Sequence, residues 1–226
     1  EARREPRNGS RERMTESENA IEEPGSPEPA RVQKLAAAFP RILIAGELAL
    51  PIARDWIERL DRSVESGGPK LPVYPFTDQI RQGLFEARRA RRLVRGFEGA
   101  EKALASQEVG LSKAAATRPE GEGFRISRLL LVSTDGSERF YRQVEQLKAR
   151  FSSRLEALMI DADEGALGEA AFGSGHTARA LLLDHKEVVV DCLAALDISQ
   201  VSALETDSAP DELDPEQGDE AATEDR

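Results

Sequence analysis

The alternation of apolar and polar positions divides the chain into a helical front part and a region of mixed elements. Within residues 31–66, "RVQKLAAAFPRILIAG" carries helix formers up to Pro40. "PIARDWIERLDRSVES" then repeats Ile52, Trp56 and Leu60 at spacing four, which puts them on one helix face. "GGPKLPVYPF" breaks that period with Gly and Pro and reads as a linker. Residues 31–75 are therefore expected to form a helical appendage, partly packed or mobile, and its linker.

From Thr77 onward the period changes repeatedly. Thr77 is an expected N-cap for a helix burying Ile80, Leu84 and Ala87. "RLV" is short enough for a strand, and "GFEGAEKALASQ" reads as a helix with Phe97, Ala100 and Leu104 inward. Residues 109–123, rich in Gly and charge, read as a loose loop. "ISRLLLVSTDG" is an apolar strand ending in turn residues, and "SERFYRQVEQLKARF" is a helix with Phe140, Val144, Leu147 and Phe151 inward. A strand "LEALMID", a short helix closed by Gly173, a strand "TARALLLDH" and the helix "KEVVVDCLAALD" complete the series, with Val188–Val190 also able to extend a strand. Alternating strands and helices imply the α/β class: a three-layer α/β/α sandwich around a buried mixed sheet.

Charge changes the picture of the ends. The chain has 226 residues and a net charge of −11, yet that acidity is concentrated. Residues 1–30 hold eight acids and five arginines with Pro and Ser punctuation, and are expected to be disordered. Residues 201–226 hold ten acids and one arginine, and 199–226 read as a disordered acidic tail. What remains is close to neutral, with 25 basic and 24 acidic side chains. Within it, residues 79–102 carry seven basic and three acidic groups, and five arginines fall within 88–95. Polyanion binding follows local charge, so the overall acidity does not oppose it.

Several classes of function find no support in the sequence. One cysteine, Cys192, excludes an internal disulfide and a multi-cysteine metal site, and the two histidines, His176 and His185, lack zinc-ligand spacing. No apolar run approaches the roughly 20 residues needed to span a bilayer, and the first residues do not form a signal peptide. A cytoplasmic location is the resulting expectation. The absence of a methionine at residue 1 leads us to expect a fragment, or a natural start nearer Met14. Asp161, Asp163 and Glu164 cluster after a strand without a basic partner in sequence, so no enzyme activity, metal or cofactor is expected.

The candidate chemistry lies between residues 88 and 102. If helical, Arg88, Arg92 and Arg95 form one stripe flanked by Arg89 and Arg91, and arginine's planar donor fork suits phosphate. The competing reading is a solvated face that complements a helix C-terminus. Gly96 marks a turn of positive φ or a close backbone approach at a helix start. Glu98 and Lys102, four apart, can pair within the helix or face a ligand. "STDGSERF" offers a helix start capped by Asp135 or Ser137, or a small phosphate or nucleotide site. "GSGHTAR" is a loop contributing Ser174, His176 and Arg179, and Cys192 reads as a small core residue.

The order of these pieces over residues 78–197 resembles the kink-turn RNA-binding ribosomal-protein family, the archaeal L-seven-Ae type, and its small bacterial relatives. The residues that carry the resemblance are "ARRARRLVRG", Gly96 through Lys102 in place of G-x-N-E-x-x-K, "RLLLVSTDGSERF", Leu167-Gly168-Glu169-Ala170, and "ALLLDH". Glu98 stands where the family motif has Asn, and Gly99 where it has Glu. The resemblance implies a four-stranded mixed sheet between helices and an RNA-binding domain over residues 76–198. It further implies contact with structured RNA, kink-turn-like or ribosomal, through Arg88, Arg91, Arg92, Arg95, Gly96, Glu98 and Lys102. The alternative expectation is a protein-interaction module that keeps the fold without RNA recognition.

Overall fold

The computed structural model describes residues 28–115 and 125–196. The expected disordered segment before residue 28, the acidic tail, and the loop residues 116–124 lie outside that description.

Five strands form one sheet: β1 (Val73–Pro75), β2 (Leu93–Arg95), β3 (Arg128–Ser133), β4 (Leu155–Asp161) and β5 (Ala180–Leu183). Their order is β1-β4-β3-β5-β2, with β1, β4 and β3 parallel and β5 antiparallel to both β3 and β2. This corrects the expected four strands. The fifth is β1, inside the Gly- and Pro-rich stretch read as a linker. It pairs Tyr74 with Ile160 at the sheet edge, where Pro72 and Pro75 cost few ladder hydrogen bonds.

β3, β4 and β5 are buried on both faces, because alternate residues feed two separate cores. Leu129, Leu131, Leu158 and Leu181 point into one; Leu130, Val132, Ala157 and Leu182 point into the other. The second core is closed by α5 (Phe97–Ala115), through Ala100 and Leu104, and by α6 (Glu138–Arg150), through Val144 and Leu147. The first is closed by α4 (Asp78–Arg89), α7 (Glu164–Phe172) and α8 (Lys186–Ala194), with Ile80, Leu84, Leu167, Val189 and Leu193 inward.

The front helices are α1 (Pro29–Ala38), α2 (Arg41–Ala45) and α3 (Ala49–Glu65), and they share the first core with the sheet. Phe39 meets Trp56 edge-on at 6.4 Å, and Trp56 lies 6.0 Å from Tyr74 of β1. Asp55, itself buried, accepts the Arg59 Nε–H on both carboxylate oxygens at 2.9 and 3.0 Å, and Arg59 Nη1 donates to the Val73 carbonyl at 3.1 Å. Full burial of a side chain such as Trp56 or Leu43 is worth ~1.5–3 kcal/mol or more, so α2 and α3 are held firmly to the sheet.

Two further expectations change. α5 continues to Ala115, so residues 109–115 are helical rather than loop. Val188–Val190 lie inside α8 and extend no strand. Cys192 is buried in the first core, and desolvation pushes its thiol up to about 12.

Candidate nucleic-acid interface

Strand direction brings the C-terminal ends of β1, β2, β3 and β4 to one edge of the molecule, and each is followed by a helix start. Thr77 Oγ1 accepts the Ile80 N–H at 3.3 Å and closes α4. Ser137 Oγ accepts the Phe140 N–H at 3.3 Å and closes α6. Asp163 Oδ1 accepts the Ala166 N–H at 2.6 Å and closes α7. The fourth start, that of α5, follows Gly96, which has no side chain with which to cap it.

Gly96 adopts φ +78°, and a Cβ placed there would meet nothing within 4 Å. The glycine is thus required by its torsion and not by crowding. Its N–H donates to the Ala180 carbonyl at 2.8 Å, and its own carbonyl accepts the Ala100 N–H at 3.0 Å. These two bonds fix the turn, while among the described residues the Phe97, Glu98 and Gly99 amides donate no hydrogen bond to a cap. Beyond it, Glu98 and Lys102 are exposed on the outer face of α5. Among the described residues they form no ion pair with each other. Gly99 lies on the flank toward β2, where a Cβ would stand 3.2 Å from Val94 Cγ1.

The arginines do not share one helix, so the stripe that a helical run would give is absent and "RLV" leads into a strand. α4 ends at Arg89, and Arg91 takes a left-handed turn, φ +55°, that reverses the chain into β2. Arg92 and Arg95 then flank β2 at opposite ends, about 10 Å apart along the strand. Arg92 pairs with Glu187 of α8, and its guanidinium holds that carboxyl below its ordinary value. Arg91 is exposed on the same side.

Arg88 and Arg95, by contrast, converge on α7. Arg88 Nη1 donates to the Ala171 carbonyl at 3.4 Å, and Arg95 Nη2 donates to the Thr177 carbonyl. Both guanidinium carbons lie 5.4 Å from the Phe172 ring centre. His176 meets the same ring at 6.3 Å. Phe172 is thus the residue that sequence reading missed, since nothing in the helical pattern around it pointed to two distant arginines.

No family model matches the chain, and no curated protein matches it. Among solved structures it is similar to a protein of unknown function from Bacillus halodurans C, at 16% identity and a TM-score of 0.38. That match covers 52% of this chain and 94% of the other. Nothing about activity transfers at that level of likeness.

The loop carrying Ser174 and His176 is placed by Gly168. A Cβ there would stand 2.5 Å from the Thr177 Cα, so the Leu167-Gly168 step lets α7 touch the returning backbone. Arg179 is engaged with Glu164 at 2.7 Å. Asp135 joins the end of β3 to the start of α7. Its burial favours the protonated acid, but hydrogen bonds from Ser133 Oγ at 2.6 Å and the Glu164 N–H at 3.2 Å, with Arg179 nearby, outweigh that and lower its value. Tyr141 completes the turn, donating to the Ser133 carbonyl and accepting the Gly136 N–H, both at 2.9 Å. The "STDGSE" turn is thus occupied by its own caps. Among the described residues no group of acidic, His and Cys side chains could hold a metal ion, and no helix is long and apolar enough to cross a membrane.

Proposed function

We propose that this chain binds structured RNA, kink-turn-like or ribosomal, at the start of α5. The observation that carries the reading is the uncapped helix start at Gly96, alone among the four at that edge in having no capping side chain. Free amides and the positive end of the helix macrodipole favour a phosphate there. Arg95 stands directly before this turn, with Arg88 beside it across Phe172. Lys102 lies one turn further on for a second phosphate. Glu98, on the same outer face, can accept from a guanine or cytosine edge. Arg91 and Arg92 lie at the far end of β2 and contribute to the surrounding field, with Arg92 partly offset by Glu187.

The resemblance of "GFEGAEK" to a kink-turn signature agrees with this placement. Binding to a kink-turn stem, a plain duplex and a single strand should be compared across a salt series. Preference for the bent stem is expected, and each of Arg95→Glu and Lys102→Glu should lower the salt slope by about one. Equal affinity for all three RNAs, or variants indistinguishable from wild type, would reject the proposal.

A second reading, a protein-interaction module that has kept the fold, is favoured by one different observation. Ile42 and Leu50, 66% and 56% exposed, together with Ile44 and Leu48, leave apolar side chains uncovered on α2 and the start of α3. Failure to bind any of the three RNAs at low salt would favour it.

A further inference from the structure

The two flanks of α4 are chemically different, and the flank nearer α7 combines exposed aromatic and guanidinium planes. At about 100° per residue, Arg81, Phe85, Arg88 and Arg89 share an arc of about 100° beside the buried stripe of Ile80, Leu84 and Ala87. Gln79, Gln82 and Glu86 take the opposite flank, where they edge a groove of about 420 Å³ against α8.

On the α7 flank each arginine is held against a ring. Arg81 lies 4.0 Å from the Phe76 ring centre, Arg89 lies 5.8 Å from Phe85, and Arg88 shares Phe172 with Arg95. Phe85 is 45% exposed, with no core role for that side of its ring. One acid, Asp78, lies on the same arc at the start of α4; it meets Arg81 only at a long 3.8 Å and is fully open to solvent.

We infer that this flank is a second binding surface, for a single-stranded nucleic-acid segment running on from the structured element at Gly96. The inference rests on RNA being the partner of that site. A guanidinium held beside a ring still offers its edge N–H groups to phosphate and its plane to a base. Exposed Phe85 supplies a stacking face that every base can use. Four cations with one loosely held acid give the complementary charge. An acidic peptide would match the charge but leave the aromatic faces unused. Arg95 belongs to both surfaces, so a strand leaving the Gly96 turn meets Phe172, Arg88 and then Phe85 and Arg81 without crossing an acidic face of α4.

The test uses the full chain and three probes: a blunt kink-turn stem, the same stem with a single-stranded uridine extension, and oligouridine alone. The extension should tighten binding about fivefold or more, the loss expected from one stacked base. Phe85→Ala and Arg81→Ala should remove that gain and leave the blunt stem unchanged, while Phe85→Tyr retains it. Both side chains are exposed, and unchanged thermal midpoints establish that the fold is kept. An extension without gain, a gain that survives Phe85→Ala, or polyglutamate competing as well as oligouridine would each overturn the inference. Binding of the blunt stem without any effect of the extension sinks this surface alone. Phe85-dependent oligouridine binding without stem binding supports this surface and sinks the structured-RNA reading instead. Loss of both kinds of binding in the wild-type protein removes both.

Discussion

Individual residues at the interface are set by backbone demands as much as by chemistry. Gly96 needs its left-handed torsion, whereas Gly168 needs space. Arg91 adopts φ +55° without being glycine, a conformation that costs an ordinary L-residue ~1–2 kcal/mol. The Gly168 contact yields a measurable consequence. Its Cβ position is occupied by the backbone of residues 176 and 177, which cannot rotate away as a side chain can. Gly168→Ala should therefore cost ~1–3 kcal/mol, the usual range for overpacking, read as a lower urea midpoint at unchanged slope. It should also loosen the loop that supplies Thr177 to Arg95, so amide exchange in residues 173–179 should quicken. Unchanged stability in this variant would show that α7 and the loop separate more easily than the packing implies.

Among elements, the joint between β3 and α7 is tied to pH through one carboxyl. Asp135 bridges them through Ser133 and the Glu164 N–H, and its carboxyl titrates below its unfolded value. A depressed acid stabilises above its unfolded pKa, near 4, and loses that contribution as pH falls through the folded value. Asp135→Asn should thus lower stability at pH 6 and flatten its decline below about pH 4, measured by urea midpoints at several pH values. Parallel declines for variant and wild type would remove the assignment. This joint was partly legible in sequence, since "STDGSE" announced a cap, but its partner on α7 was not. The same holds for the fold. Helices α3, α4 and α6 and the strands β3 to β5 follow from period and apolar runs. β1 does not, because a three-residue stretch that follows Pro72 and ends on Pro75 carries no period and becomes a strand only by pairing with β4. α5 outran its expected end because Gly110 is tolerated in an open part of the helix. The strand reading of "RLV" already separated Arg88 from Arg95, but the turn at Arg91 was not legible, because Arg91 takes it without the glycine that normally signals one. Gly96 was legible from its place before an amphipathic run, whereas Phe172 gained its meaning only from arginines brought to it by the fold.

For the whole molecule the governing feature is how charge is divided. The part bearing the arginines is close to neutral, and the acidity resides in the ends, above all in residues 201–226 with ten acids and one arginine. Repulsion between that tail and nucleic acid acts over about a Debye length, roughly 10 Å at 0.1 M salt. A tail that visits the Arg88–Arg95 surface would compete with phosphate directly, in the same way as added polyanion. Both effects weaken binding most at low salt, and both fade as salt rises. Removing residues 199–226 should therefore tighten non-specific RNA binding at low salt, and the gain should shrink as ionic strength increases. Specific binding should gain less, because contacts to bases do not depend on the tail. The comparison to make is the salt slope of the full and shortened chains on a plain duplex and on a kink-turn stem. A shortened chain with the same affinities throughout the titration would show that the acidic tail takes no part at this surface. A larger change of slope on the duplex than on the stem, on removal of the tail, would show that the tail acts mainly on indiscriminate binding.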